Sequence, residues 1–349
     1  MLDDKLIRSV KTAKKFIDNS FHLSSEKNKI TSSQLIFPLT NASSHNTYIE
    51  TVSNKSDIIY SHSKTMYMSG LTQAYSDFIK MISKRFELQN KNVTLAFDYT
   101  DEDFYGDVQG FDIHGWTGEH AVTGKFKFLT CSIVSDEIPQ KIPLISLPIR
   151  MGHYKSSVIL DCLSKIKNTV GKIDLILFDR GFYDKDLMFE LNKLDYSYLI
   201  FVPKHTDKKS ILYPMEAGEE IAIYNEFKIN KDKSNFVDKN ILVFLKQIYD
   251  PRSEKNYDWV FATNVEKLLL ENLVVAYKKR WRIETMFRVQ DEACIKCKSK
   301  NMKIRYFLFL FEQVLQVLWI CFYKDDLSFK EFLIRVNEQA GLYTKVFKR

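Results

Sequence analysis

Three short apolar runs constrain the fold of this chain more than any other feature of its sequence. They are IDLILFD (173–179), YSYLIFVP (196–203) and WVFATN (259–264). A strand with one face in water alternates apolar and polar residues, whereas a strand covered on both faces is apolar throughout. We therefore predict buried strands in a sheet that helices cover on both sides.

The elements around these runs give an order of strands and helices. The run VTLAFD (93–98) and the segments 125–135 and 141–149 read as three neighbouring strands, which favours an antiparallel meander. Helical patterns at 156–168 and 184–194 then separate the buried strands. This order, followed by further helices, is that of a ribonuclease H-like α/β fold with a mixed sheet flanked by helices.

Two segments lie outside that order. Residues 1–90 combine helical periodicity with twelve Lys or Arg against eight Asp or Glu, which predicts a mostly helical, mildly basic N-terminal domain with a DNA-binding role. Residues 204–258 contain the amphipathic runs EIAIYNEF and NILVFLKQIY between charged turns. We predict a ribonuclease H-like domain over 91–349 that this β-rich insertion interrupts.

The pattern of Glu271–Gln290 predicts one helix with a chemically unusual face. Tyr277, Arg280, Glu284 and Arg288 are spaced three, four and four residues apart, so a helix places them along one stripe. One interpretation is a solvated helix in which Arg280 and Glu284 form a pair worth a few tenths of a kcal/mol. The other is a functional carboxylate among cationic side chains.

Positive charge is concentrated in the same part of the chain. Residues 276–305 contain ten Lys or Arg and three acids, an excess equal to the net charge of +7 of the whole chain. A concentrated basic surface favours a polyanionic partner, and nucleic acid is the commonest.

Two acids upstream, Asp98 and Asp179, stand where apolar runs end. Taken alone, either residue fits a helix or turn cap better than a functional site. With Glu284 they would supply the carboxylate cluster with which two Mg²⁺ ions support phosphodiester chemistry. A loop places side chains less firmly than a strand, which disfavours three loop acids as alternatives to Asp98. Those three acids are Asp101, Asp103 and Asp107.

The motifs around these acids resemble those of DDE transposases of bacterial and archaeal insertion sequences. FDYTDEDFYG and LILFDRGFYD are similar to the first and second acidic motifs of that family, and YKKRWRIETMF is similar to the third. Tyr277, Arg280 and Glu284 fit the Y-(2)-R-(3)-E-(6)-K signature of one group. Asp291 stands where that group has Lys. The resemblance covers roughly residues 91–325.

The resemblance implies a transposase that cleaves DNA at transposon ends and transfers the freed 3′-hydroxyl to target DNA. It implies that Asp98, Asp179 and Glu284 are the catalytic residues and the ligands of two Mg²⁺ ions, for which Mn²⁺ can substitute. Its DNA partners would be terminal inverted repeats and target DNA, and pairing two ends predicts a homodimer. The DNA-contacting residues would be Tyr277, Arg280, Arg282, Arg288, Lys296 and Lys298, the last two replacing the family Lys.

Two alternatives retain part of this prediction. The first is a non-catalytic DNA-binding protein derived from a transposase, and the second is a repair or resolving nuclease. Metal-dependent nicking separates the first from a transposase, and strand transfer separates the second.

Five scattered cysteines without a secretory signal predict a reducing, cytoplasmic and nucleoid-associated location. The apolar segment 304–323 is long enough to cross a bilayer, but it carries Arg305 and Glu312. We therefore predict a buried core helix and no membrane role.

Overall fold

The computed structural model describes residues 4–23, 31–118, 121–202, 221–224, 234, 237, 240–250, 253–266 and 270–346. The helices within these ranges are α1 (Asp4–Phe21), α2 (Ser32–Ser44), α3 (Ile49–Val52), α4 (Ser56–Thr65), α5 (Met68–Arg85), α6 (Lys155–Ile166), α7 (Lys185–Lys193), α8 (Leu270–Lys278), α9 (Trp281–Gln290), α10 (Met302–Phe322) and α11 (Phe329–Val346). The strands are β1 (Val93–Phe104), β2 (His114–Gly115), β3 (Gly124–Ile133), β4 (Pro143–Ile149), β5 (Ile173–Phe178), β6 (Tyr198–Phe201), β7 (Ile221–Tyr224), β8 (Ile241–Asp250) and β9 (Lys255–Thr263).

These strands form one mixed sheet. Their order is β2-β3-β1-β5-β6-β9-β8-β7, and β4 also pairs with β3. The strands β1 and β4 both pair antiparallel with β3, whereas β5 pairs parallel with β1 and β6 pairs parallel with β5. A three-strand meander followed by two parallel strands is the ribonuclease H-like arrangement, so the fold class predicted from the sequence is confirmed.

The central strand β5 is covered on both faces, as its unbroken apolar pattern predicts. Ile176 and Phe178 belong to the larger hydrophobic core, while Leu177 belongs to a second core beneath α8 and α9. Each such side chain contributes about 1.5–3 kcal/mol by leaving water. Burial on both faces therefore fixes the position of the residue that follows the strand.

The described part of the segment 204–258 has the β character expected of it. Strand β8 pairs with β9, and β9 pairs with β6, so these strands extend the main sheet at its edge. The rest of the segment, including most of 203–239, lies outside the described residues.

Helix α10 connects the N-terminal helices to the sheet. Every residue from Ile304 to Leu318 is buried. On one side Phe307 packs against Phe21, with ring centroids 4.5 Å apart, and on the other Phe309 stacks on Phe128 of β3 at 4.2 Å. The helices α1–α5 therefore share the larger core with α10 and the sheet.

Among the described residues, α10 is the one helix long and apolar enough to cross a membrane, and 83% of its most apolar window is buried inside the protein. The prediction of a buried core helix is confirmed.

The single helix predicted over Glu271–Gln290 is instead two helices. The helix α8 ends at Lys278, and α9 begins at Trp281. At the joint the Arg280 N–H donates to the Tyr277 carbonyl at 2.9 Å, a bond to the third preceding residue that is typical of a 3₁₀ turn. Apolar spacing cannot reveal this turn, because residues three apart share a face in both geometries.

Candidate active site

The three acids predicted from the sequence lie on the central strands and the helix that covers them. Phe97 of β1 pairs with Phe178 of β5. The residue that follows each of them in the chain is an acid, Asp98 and Asp179 respectively. Glu284 lies in the first turn of α9, which contacts β1. Parallel pairing of β1 with β5 thus brings the first two acids to neighbouring positions.

The strand β1 continues further than expected. Because it ends at Phe104, Asp101 and Asp103 are strand residues, and the prediction that they belong to a loop is wrong. Lys125 of the neighbouring β3 contacts both carboxylates, at 3.4 Å and 4.0 Å. These two acids are thus paired away from Asp179 and Glu284, which leaves Asp98 as the β1 acid at the site.

Arg280 joins two of the three acids through its guanidinium group. Its Nη1 donates to Asp98 Oδ2 at 3.1 Å, and its Nη2 donates to Glu284 Oε1 at 2.6 Å. The Arg280 side chain is only 6% exposed. Its Nε is buried and has no hydrogen-bond partner among the described residues.

Tyr277 contacts the third acid. Its hydroxyl donates to Asp179 Oδ1 at 3.3 Å. Its ring packs against Phe201, Trp259 and Phe261 with centroids 5.1–5.9 Å apart. Burial raises the pKa of Tyr277 above its usual value, so the hydroxyl keeps its proton and remains a donor. The aromatic cluster therefore holds the tyrosine beside Asp179.

Burial also sets the protonation of Asp98. Removal from water raises the pKa of Asp98 to about 6, against the opposing effects of Arg280 and of a hydrogen bond from the Tyr99 backbone N–H. The neighbouring carboxylates Glu284 and Asp179 raise it further. Asp98 is consequently ionised at neutral pH and protonated in mild acid.

The donor set suits hard divalent ions, but its present arrangement does not. Carboxylate oxygens on rigid elements are the ligands that Mg²⁺ prefers. Within the described ranges, however, no group of three or more His, Cys, Asp or Glu stands so that it could hold a metal ion. The Arg280 guanidinium connects Asp98 to Glu284 and occupies the space between them.

Arg282 points away from the acids. It donates to the carbonyl of Val134 at 2.5 Å and to the carboxylate of Asp136, which also contacts Lys279 at 2.7 Å. These hydrogen bonds lower the pKa of Asp136 to about 2. Asp136, which the sequence analysis missed, thus anchors the start of α9 to the loop after β3.

The remaining predicted DNA contacts lie at the surface. Arg288, Lys296 and Lys298 are exposed. The Lys296 N–H donates to the Thr47 carbonyl at 3.1 Å, and the Lys298 ammonium lies 4.7 Å from the centre of the Tyr48 ring. The structure therefore groups Tyr277 and Arg280 with the acids, and it places the two lysines beside the N-terminal helices.

Comparisons with known proteins found two similarities. A family model described as a transposase DDE domain matches residues 153–309, a range that includes Asp179 and Glu284 and begins after Asp98. No curated protein matches the sequence. A cryo-EM structure of the piggyBac transposase synaptic complex with hairpin DNA is similar in fold, with a TM-score of 0.56 and 11% identity. That similarity covers 100% of this chain and 80% of the other. The family match covers less than half of the chain, and at 11% identity the structural similarity shows a shared fold.

Proposed function

We propose that this chain is an insertion-sequence transposase of the Y-R-E-K group that cleaves DNA at transposon ends and joins the ends to target DNA. One observation carries this proposal: Asp98, Asp179 and Glu284 come from three separate segments, yet they meet around one arginine and one tyrosine. A stability role alone would not require three carboxylates around one positive charge.

The residues divide into metal ligands and positioning groups. Asp98, Asp179 and Glu284 would hold two Mg²⁺ ions, and Mn²⁺ would substitute for them. Such ions activate the attacking oxygen and stabilise the leaving oxygen of a phosphodiester. Tyr277 orients Asp179 through its hydroxyl. The planar fork of Arg280 suits a phosphate oxygen pair as well as it suits a carboxylate.

The DNA partners would be terminal inverted repeats and target DNA. The exposed cations Arg288, Lys296 and Lys298 would contact the phosphate backbone, and Arg282 would add to their field. Because the two lysines lie beside Thr47 and Tyr48, a duplex bound there would also contact the domain proposed for residues 1–90. We propose that two copies act together on paired ends, in the cytoplasm at the nucleoid.

The test is cleavage and joining by the purified full chain. The protein is incubated with labelled element ends, a target plasmid and Mg²⁺ or Mn²⁺, alongside the Asp179→Asn and Glu284→Gln variants. We expect metal-dependent nicks at the ends and joined products from the parent protein, and neither product from the variants.

Three results would contradict the proposal, each in a different way. Binding of the ends without cleavage by the parent protein would indicate a non-catalytic DNA-binding protein. Cleavage without joining would indicate a nuclease. Cleavage by the acid variants at the parent rate would show that the catalytic residues are others.

A further inference from the structure

The acids of the site outnumber the cation that contacts them. Asp98 and Glu284 both accept hydrogen bonds from Arg280, and Asp179 accepts one from Tyr277, whose ring centre lies 5.6 Å from the Arg280 guanidinium carbon. One guanidinium thus stands among three carboxylates. In a partly buried site this charge ratio favours a second positive charge or a more highly charged ion.

The other cations at the start of α9 are committed elsewhere. Lys279 and Arg282 both contact Asp136, on the loop after β3. In the described part of the chain, Arg280 is therefore the cation that contacts Asp98 and Glu284. Its guanidinium bridges the same two carboxylates between which an ion would have to lie.

Arg280 is held less completely than a buried arginine usually is. Its Nε is buried without a hydrogen-bond partner among the described residues, so one of its five N–H groups carries an uncompensated desolvation cost. It also lies in the 3₁₀ turn between α8 and α9, outside the regular helical hydrogen bonding of either helix. Moving this side chain consequently breaks two ion pairs and relieves one unsatisfied donor.

We propose that Arg280 is a built-in substitute for the divalent ions. In the protein without DNA and metal it neutralises Asp98 and Glu284, and it must leave them before ions can bind. This inference rests on the proposed role of the three acids as metal ligands. It adds that Arg280 competes with the ions for those ligands, so DNA that attracts the guanidinium would favour metal binding.

The experiment measures Mn²⁺ binding to the full-length protein without DNA, by calorimetric titration. Four proteins are compared: the parent, Arg280→Gln, Arg280→Lys and, as a matched control, Arg335→Gln. Arg335 forms an i,i+4 pair with Glu331 on α11, and both side chains are about half exposed. We expect Arg280→Gln to bind Mn²⁺ about tenfold more tightly than the parent, because a competing charge is gone.

The two remaining variants sharpen this result. Arg280→Lys keeps one charge but lacks the fork that bridges two carboxylates, so we expect an intermediate affinity. Arg335→Gln should bind Mn²⁺ as the parent does. Equal or weaker Mn²⁺ binding by Arg280→Gln would overturn the proposal.

Thermal unfolding with and without Mn²⁺ covers the case in which Arg280→Gln folds poorly. We expect it to unfold at a lower temperature than the parent without metal, and to gain more from saturating Mn²⁺. If Arg280→Gln does not fold without metal, the same measurement is made on Arg280→Lys. A rise in unfolding temperature with Mn²⁺ that is no larger in the variant than in the parent would overturn the inference.

The cleavage assay separates the two proposals. If the parent cleaves DNA with Mn²⁺ but Arg280→Gln gains no affinity for the ion, only the competition is wrong. If no protein binds Mn²⁺ and the parent does not cleave DNA, both proposals fail.

Discussion

Two acids on the same strand, four residues apart, each pair with a buried arginine. Asp98 accepts from Arg280 at 3.1 Å, and Glu102 accepts from Arg305 at 3.0 Å. The two arginine side chains are 6% and 5% exposed. The two ion pairs therefore have nearly the same length, and their arginines are equally buried.

The two pairs differ in the other hydrogen bonds that each guanidinium group makes. Arg305 also donates from Nε to the Ser299 carbonyl and from Nη2 to the Cys297 carbonyl, both at 2.8 Å. Arg280 has a buried Nε without a partner among the described residues, and a surplus of carboxylates. We infer that a pair whose three guanidinium nitrogens all donate hydrogen bonds serves the fold. A pair with an unsatisfied donor and a second carboxylate on the same guanidinium fits the metal binding proposed above.

The largest expected effect is on the rate of DNA cleavage, and it should come from Glu284, the second carboxylate that contacts Arg280. If Glu284 is a metal ligand as proposed, Glu284→Gln should slow DNA cleavage about a thousandfold, which is about 4 kcal/mol of barrier. Its thermal stability should stay close to that of the parent, since the Glu284 side chain is 41% exposed. Rate assays and thermal melts of the same preparation check both halves, with Glu331→Gln as the surface control. A large fall in stability with normal cleavage would make Glu284 structural.

The satisfied pair should behave in the opposite way. Arg305→Met should destabilise the protein by about 3 kcal/mol, because Glu102, whose side chain is 26% exposed, loses its partner and the hydrogen bonds of the buried guanidinium are lost. Urea unfolding monitored by tryptophan fluorescence measures this loss. The double variant Arg305→Met/Glu102→Gln should recover part of it. An Arg305→Met protein as stable as the parent would remove the distinction between the two pairs.

The acidity of Asp98 gives a third difference. Its folded-state pKa of about 6 lies above the ordinary value of 3.8, so the folded protein binds this proton more tightly than the unfolded chain does. Stability from this group is therefore present below about pH 4 and is lost as the pH rises through 6, by at most about 3 kcal/mol.

This dependence is measured by urea unfolding of metal-free protein between pH 4 and pH 7. The parent should lose stability relative to Asp98→Asn as the pH rises across the window. Parallel pH profiles for the two proteins would show that Asp98 titrates normally.

The smallest effect should come from a cation outside both pairs. Arg288→Gln should weaken DNA binding about equally for all sequences and lower the slope of log affinity against log salt by about 1. Its thermal stability should not change, because the side chain is exposed. Fluorescence anisotropy at several salt concentrations measures the slope. An unchanged slope would place Arg288 away from the phosphates.

Much of the fold followed from local patterns. The apolar run of β5 predicted burial on both faces, and the order of elements predicted the mixed sheet. Both predictions depend on the hydrophobic pattern of residues that are close together in the sequence. The acids at the ends of such runs also predicted that Asp98 and Asp179 lie at neighbouring positions, since parallel strands in register bring their ends together. Their catalytic role stays a prediction.

What the sequence could not predict depends on contacts between distant segments. Asp136 lies in a turn with no pattern of its own, and its role appears only when α9 reaches the loop after β3. In the sequence, Arg305 serves only as a charge that argues against a membrane span. Its pairing with Glu102 cannot be predicted there, because the two residues are 203 positions apart. The 3₁₀ turn at Arg280 was missed because its spacing is compatible with a continuous helix.

The burial of α10 limits how this protein can be taken apart. Phe307 packs against α1, and Phe309 packs against the sheet. Deleting residues 1–90 would therefore expose to water the apolar face of α10 that α1 covers. Truncated versions should aggregate, because residues 1–90 and the sheet share one hydrophobic core through α10.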